Sequence, residues 1–374
     1  NQRPPHALVV GLVNPLVLVI NPLFQKFLEC LDVPTRASEM SFGFQCQQTG
    51  LVYAGNNLNG LFSQRRNLFS PVFIRFLLEI MRFSKQARQD LANHGIPRIT
   101  LAEYLEERQY SPFMVNNYLL PMAAAIWSTP TLQAAEFPAQ AFLSFFNNHG
   151  LLSFRDRPQW KTVVGGSFSY VKAFLRQFHG KLRLNAEIVK ISRPGNGVRL
   201  TFSDGHHEEF DKVVIATHAD QALRLLADPT AEEIRLLAPW QYQRNHTVLH
   251  TDSSLLPDRR NAWAAWNFTR AAAHDDKLPV FVTYDMNILQ GLNTDRHYCV
   301  TLNRQNGFRP GSVIAEFDYQ HPQYTFASLA TQKELPGLNG QRNSWFCGSY
   351  FGYGFHEDAV RSAVAVGHDF GVQL

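Results

Sequence analysis

Trp345-Phe-Cys-Gly-Ser-Tyr-Phe-Gly-Tyr-Gly-Phe-His-Glu-Asp-Ala-Val-Arg-Ser-Ala-Val-Ala-Val366 is the stretch on which the fold turns. Residues 345–347 read as a buried strand and 348–354 as a glycine-rich loop, and a helix opens at Glu357-Asp358. Two carboxylates in a first helical turn suit the positive end of the helix dipole. The amides of that turn have no intrahelical partner, so they can donate to an anionic ligand oxygen. Gly348, Gly352 and Gly354 let the backbone approach something flat or bulky. Taken alone, the run also fits an ordinary strand–loop–helix connection.

Working outward, residues 213–216 form an all-apolar strand of the kind buried in a parallel sheet, followed by a helix over 219–226. Residues 162–164 predict a strand, then a Gly165-Gly166 turn and an amphipathic helix with Tyr170, Phe174 and Phe178 on one face. Short strands are expected at 182–184 and 188–191, and a hairpin over 198–202 and 208–210 about Asp204-Gly205. Further strands are expected at 247–250, 280–283, 298–302 and 312–317. Nearer the N-terminus the pattern gives strands at 8–10 and 16–20, a helix at 24–30 and a hairpin over 41–53 around Gln48-Thr-Gly50. Residues 61–153 read as mainly helical, with helical spacing over 73–83 and a capping box in Thr100-Leu-Ala-Glu103. The alternation predicts two interleaved domains.

At 374 residues the chain is long enough for two or three domains. Its composition is globular, 45% hydrophobic and 18% charged, and its 29 Phe fit an apolar cavity or large cores. A net charge of +4, with Lys and Arg spread along the chain, does not call for nucleic acid. Cys30, Cys46, Cys299 and Cys347 lack CxxC spacing, which argues against a zinc site or disulfide framework and for reduced, buried thiols in a cytoplasmic protein. The apolar stretch 7–20 is broken by Asn14-Pro15 and is too short to span a bilayer. It carries no small-x-small cleavage site, and peripheral membrane contact stays open.

The C-terminal run resembles the flavin-contact motif of the FAD-dependent amine oxidase superfamily. Five more stretches resemble a bacterial branch of it, NAD/FAD-binding oxidoreductases associated with lipid-modifying enzymes. They begin at Asn56 (to Arg66), Tyr118 (to Ser128), Phe145 (to Leu152), Arg157 (to Ser167) and Ala216 (to Leu223). The resemblance covers roughly residues 19 to 371. It implies an α/β fold, an FAD/NAD(P)-binding Rossmann-like unit of the amine oxidase type with an interleaved α+β substrate domain. Such proteins begin with a strand–Gly-x-Gly-x-x-Gly–helix unit that holds the pyrophosphate. No Gly-x-Gly-x-x-Gly occurs in these 374 residues, so the N-terminal βαβ is expected to be absent. The implied division gives 1–35, 158–228 and 341–374 to the FAD-binding domain, and 36–157 and 229–340 to the substrate domain.

The resemblance also implies the cofactor contacts: Val189, Thr217, Gly348, Ser349, Gly354, Phe355, His356, Glu357, Asp358 and Ser362. The helix start would face the pyrimidine edge of the flavin, where reduced flavin carries negative charge. The family's common Gly after the Glu is Asp358 here. Val189 would meet the adenine, or be a plain core valine. Thr217 and His218 follow a buried strand and would lie near the phosphates, or His218 would be a hydrogen-bonded loop residue.

Gly165-Gly166-Ser167 lacks Walker spacing and reads as a tight turn. His206-His207 sits at a hairpin tip, where solvated charges are the rule, so no metal is expected. No Gly-x-Ser-x-Gly elbow occurs, and His149, His246, His250, His321 and His356 are too scattered to name a general base. Tyr350, Phe351, Tyr353, Phe355, Trp127 and Trp160 are candidate walls of a substrate site, or core aromatics.

The expected function is a FAD-dependent oxidoreductase that takes a hydride from an amine or a lipid-like apolar substrate, with no dedicated protein base. A truncated remnant unable to hold FAD and a lipid-binding module are the alternatives.

Overall fold

Seven strands make the largest sheet, in the order Val313–Pro322, Tyr242–His250, Cys299–Leu302, Phe281–Asp285, Trp266–Arg270, Phe42–Cys46, Val52–Ala54. The computed structural model describes residues 16–17, 21–93, 95–153, 158–271 and 281–374. The strand expected at 8–10, residues 18–20 and Val280 lie outside these. By its internal contacts the chain divides into two units, one of residues 1–20, 34–169 and 243–321, the other of 21–33, 170–242 and 322–374.

In the first unit, Trp266–Arg270 joins the hairpin to the rest of the sheet. It runs parallel to Phe42–Cys46 and antiparallel to Phe281–Asp285. The hairpin closes as expected, with Gly50 at φ +67 donating to the Cys46 carbonyl. One sheet face is aromatic. Phe44 stacks on Phe268 at 5.7 Å, and Tyr53 meets Phe73 and Phe76 of the helix Pro71–Asn93. That helix buries Phe73, Phe76, Ile80, Phe83 and Ala87, the period of one helical side. The opposite sheet face is buried but polar. Asn267 donates to the Thr283 carbonyl, Thr283 and Thr301 share a 2.9 Å hydroxyl contact, and His250 Nε2 meets Thr301 Oγ1 at 2.7 Å. A smaller sheet orders Leu16–Val17, Trp160–Val163 and Thr35–Ala37, all antiparallel.

The second unit has the three-stranded meander Ile188–Ser192, Val198–Phe202, His207–Phe210 and a parallel pair, Val213–Ile215 with Ser344–Phe346. Its helices include Pro22–Cys30, Ala219–Leu225, Ala231–Leu237, Phe326–Gln332 and His356–Asp369. Arg193 makes a two-pronged ion pair with Glu233, both nearly excluded from solvent, and reaches Asp228 as well. Breaking such a pair from one side is costly because it strands the other charge.

Several sequence expectations shift. Residues 182–184 are not a strand: no neighbouring strand pairs with them, and Leu182 and Leu184 are exposed. The helix Phe168–Gln177 forms, but Phe174 and Phe178 stack on each other at the surface, and Ala173 is its buried residue. The strand Trp266–Arg270 and the helices Ala231–Leu237 and Phe326–Gln332 were not anticipated. Of the four thiols, Cys30 is exposed rather than buried, and none is in a disulfide. The unit boundaries also differ from the expected divisions. Residues 160–163 pair with 35–37 and so fall with the first unit, while 322–340 fall with the second. Among the described residues no helix is long and apolar enough to cross a membrane.

Candidate functional site

Two parallel strands end side by side in the second unit. Ser344, Trp345 and Phe346 register against Val213, Val214 and Ile215, so Cys347-Gly348 and Ala216-Thr217 leave at the same end. Ligands of open α/β sheets collect at such carboxyl ends. Gly348 has φ +156, and a Cβ there would stand 2.8 Å from the Tyr350 ring.

The loop after Gly348 folds on itself. Phe351 N–H donates to the Gly348 carbonyl, and Gly352 and Gly354 N–H both donate to the Ser349 carbonyl. Gln332 Nε2 holds the Tyr350 and Gly352 carbonyls from outside. Asp358 Oδ2 accepts from Tyr353 N–H at 2.8 Å and Phe355 N–H at 3.1 Å, and Arg361 covers the other oxygen. Burial holds the Asp358 carboxyl above its usual range, and the two amides and Arg361 pull the other way. Ser362 Oγ accepts from Gly348 N–H at 2.9 Å and donates within its own helix to Ala359. Glu357 turns towards the helix Pro22–Cys30, where its carboxylate accepts from Leu23 N–H (3.3 Å) and Phe24 N–H (2.9 Å). It thus supplies the acceptor that the helix lacks locally, since Asn21 makes no side-chain cap.

The side chains of Glu357, Asp358 and Ser362 are therefore spent on shaping the turn. What they leave for a ligand is backbone: the amides of His356 and Glu357, first in their helix, have no intrahelical partner. The His356 ring stacks on Phe24 (4.8 Å) with Tyr170 edge-on (6.3 Å). Its Nδ1 is out of solvent and without a partner, and desolvation pushes its pKa down to about 4. Ser349 and Phe355 flank the loop, and both Phe355 and Tyr353 are half-buried.

Val189 is the extra residue of a bulge: its neighbours Ile188 and Lys190 pair with Phe202 and Thr201, and Val189 has no place in the ladder. Its side chain is exposed rather than in the core. Thr217 is half-buried, with Oγ1 donating to the His218 carbonyl. The His218 ring lies flat on Tyr242 at 4.2 Å, whose hydroxyl accepts from Ala219 N–H at 3.0 Å. Tyr242, Gln332, Phe24 and Tyr170 were missed by sequence reasoning, because no local pattern connects them to the turn.

The remaining candidates disperse. Tyr350 is buried against Trp240 and Phe351, so it is a core aromatic. Trp160 is half-buried near His149. In the first unit, Trp127 packs on Phe137 (4.4 Å) and Phe145 (4.9 Å). His149 donates to the Phe145 carbonyl, His246 faces Glu316 and Asp318, and His321 meets Asn245. His206 stacks on Phe202 at the hairpin tip, and no three potential metal ligands cluster among the described residues.

Paired parallel strands with a glycine loop and a helix N-terminus at their carboxyl ends are the arrangement at which α/β proteins take up ligands. A model of the flavin-containing amine oxidoreductases matches residues 58–263, more than half of the sequence, and the chain belongs to that family. Its class is flavin-dependent oxidoreductase and its cofactor is FAD. Similar solved structures include a fatty acid isomerase from P. acnes that produces CLA (13% identity, 97% of this chain and 87% of that one, TM-score 0.66). Cyclohexylamine oxidase from Brevibacterium oxydans IH-35A follows (13%, 96% and 88%, 0.61). So does wild-type putrescine oxidase bound to putrescine (14%, 94% and 85%, 0.61). At such identities the likeness speaks for the fold alone. No curated protein matches the chain.

At the C-terminal turn, unpartnered amides and an orphaned Nδ1 suit the acceptors and donors of a flavin. The pyrophosphate-holding glycine motif has no counterpart in the sequence.

Proposed function

We propose that this flavin-dependent oxidoreductase acts on a lipid-like, apolar substrate that carries a hydrogen-bond acceptor. Bound FAD supplies the hydride acceptor. The chain's own residues hold the turn at its ring, orient the substrate and keep water out. The amides of His356 and Glu357 would favour negative charge at the pyrimidine edge, and the unladdered backbone of Val189 would serve the adenine.

The observation that carries the substrate reading lies on the aromatic sheet face of the first unit. Trp127 and Trp266 bury their indole Nε1–H groups without an acceptor. The helix Leu120–Trp127 packs on the strand Trp266–Arg270, and Trp266 meets the Tyr284 ring edge-on at 5.1 Å. A buried donor left unmatched costs about 1–3 kcal/mol, so two among aromatics favour a ligand with an apolar body and an oxygen acceptor. An amine would bring further donors to them.

The test is flavin reduction without oxygen. The chain is purified with excess FAD and mixed with an unsaturated fatty acid or with putrescine. Bleaching of the oxidised-flavin band by the fatty acid alone, weakened at least tenfold in Trp266→Phe, is the expected result. Bleaching by the amine alone would overturn the substrate reading, and a folded but colourless protein would favour the remnant.

A further inference from the structure

The helix Pro71–Asn93 has two apolar sides, and its fold uses only one. Phe73, Phe76, Ile80 and Phe83 face the core. Ile74, Leu78 and Met81 recur at +4 and +3 along the outer side, Leu78 and Met81 being 60% and 55% exposed. The short 3-10 turn Arg65–Phe69, which leads into the helix, exposes Leu68 and, at 87%, Phe69. Single exposed apolar residues are ordinary, but Ile74, Leu78 and Met81 share one side of the helix, and the turn that leads into it carries an almost bare phenylalanine.

The exposed charge along residues 65–89 has one sign. Arg65, Arg66, Arg75, Arg82, Lys85 and Arg88 are all exposed. The single acid between residues 65 and 89 is Glu79, which is buried and held by Ser111 and Arg75. Six bases less one acid give +5, while the whole chain carries +4, so everything outside this segment sums to −1. On the outer side, Arg75 and Arg82 border the Ile74–Leu78–Met81 row on one flank and Arg88 on the other, by the 100° step of the helix.

We infer that this face is a docking surface for an anionic lipid membrane: Phe69, Leu78 and Met81 enter the interface while the flanking arginines and Lys85 meet lipid phosphates. The occupant follows from the shape and the charge. The outer side of a single helix is convex, with apolar tips and long basic side chains on both flanks, which suits a planar headgroup layer. Each base near an anionic surface contributes about 1 kcal/mol, so five net charges suffice for reversible binding that salt weakens. This inference does not rest on the substrate reading, and it holds whether or not flavin is bound.

Flotation of the full chain with vesicles tests it. The protein should rise with vesicles of phosphatidylcholine and phosphatidylglycerol, stay down with phosphatidylcholine alone, and be released by molar salt. Phe69→Asp with Leu78→Asp should lower the bound fraction at least tenfold, and Arg75→Glu with Arg82→Glu should do the same. Phe178→Asp, an exposed position of the second unit, should leave it unchanged. All these positions are exposed, and a melting curve for each variant checks that it folds. Two results would overturn the inference: equal flotation with neutral vesicles, or no flotation together with a dimer in light scattering that Phe69→Asp and Leu78→Asp dissolve. The second would make the face a contact between copies of this chain.

Discussion

Glu357 shows how much one carboxylate can be asked to do. Its position in a first helical turn suggested a ligand at the dipole, yet both its oxygens serve amides some 330 residues earlier in the chain. A charge-assisted cap of this kind is worth about 1–2 kcal/mol. Glu357→Ala should therefore lower unfolding stability in urea by about 2 kcal/mol, and Glu357→Gln, which keeps one acceptor oxygen, by clearly less. Combining Glu357→Ala with Asp358→Ala should also weaken FAD retention, because the Tyr353 and Phe355 amides lose the acceptor that closes the loop. A fluorescence titration with FAD reads this directly. Unchanged affinity in the double variant would remove the turn from the cofactor site.

At the scale of elements, periodicity was a good guide to existence and a poor one to partners. The apolar spacing over 73–83 announced the helix Pro71–Asn93, and the core side is the one that matters for folding. Phe76→Ala should cost about 3–5 kcal/mol by leaving a cavity, whereas Leu78→Ala on the outer side should stay within about 0.5 kcal/mol. Chemical denaturation separates the two. The capping box of Thr100 was legible and forms with both hydrogen bonds in place. That of Thr230, in Thr-Ala-Glu-Glu, forms as well, and its Glu233 also closes on Arg193, forty residues away, a contact that no local pattern shows. The strand Trp266–Arg270 hid for another reason. Its Trp-Asn-Phe-Thr alternation reads as half-exposed, yet both faces are buried, and the neighbouring Ala264 and Thr283 carbonyls make the buried Asn267 amide acceptable there.

The whole molecule carries a shared response to acid. His149, His250 and His356 are each pushed down to about 4 by burial. Asp252 N–H donates to His250 Nδ1 at 3.1 Å, so the neutral ring carries its proton on Nε2 towards Thr301. Below the unfolded value near 6.5 the unfolded chain takes up protons that the folded chain refuses. Stability is thus complete above pH 6.5 and falls as pH drops towards 4, by up to about 3 kcal/mol for fully buried His250. Urea midpoints measured from pH 7 to 4 should show this slope, and His250→Gln should flatten it relative to its own stability at pH 7. A slope unchanged in that variant would mean that other groups govern the acid limb.

What depends on near neighbours could be read along the chain: the helical spacing over 73–83, the Thr100 box, the Gln48-Thr-Gly50 turn, the glycine loop and the helix that follows it. The sequence also carried the motifs that place the chain among flavin oxidoreductases. The tertiary structure decided which groups meet. Glu357 goes to Leu23 and Phe24, Gln332 to the glycine loop, Tyr242 beneath His218, and one of the two apolar sides of Pro71–Asn93 to the core. The reason is physical. Local backbone preferences repeat with a period that a sequence displays, whereas a hydrogen bond or packing contact across hundreds of residues is fixed only when the chain has closed that distance.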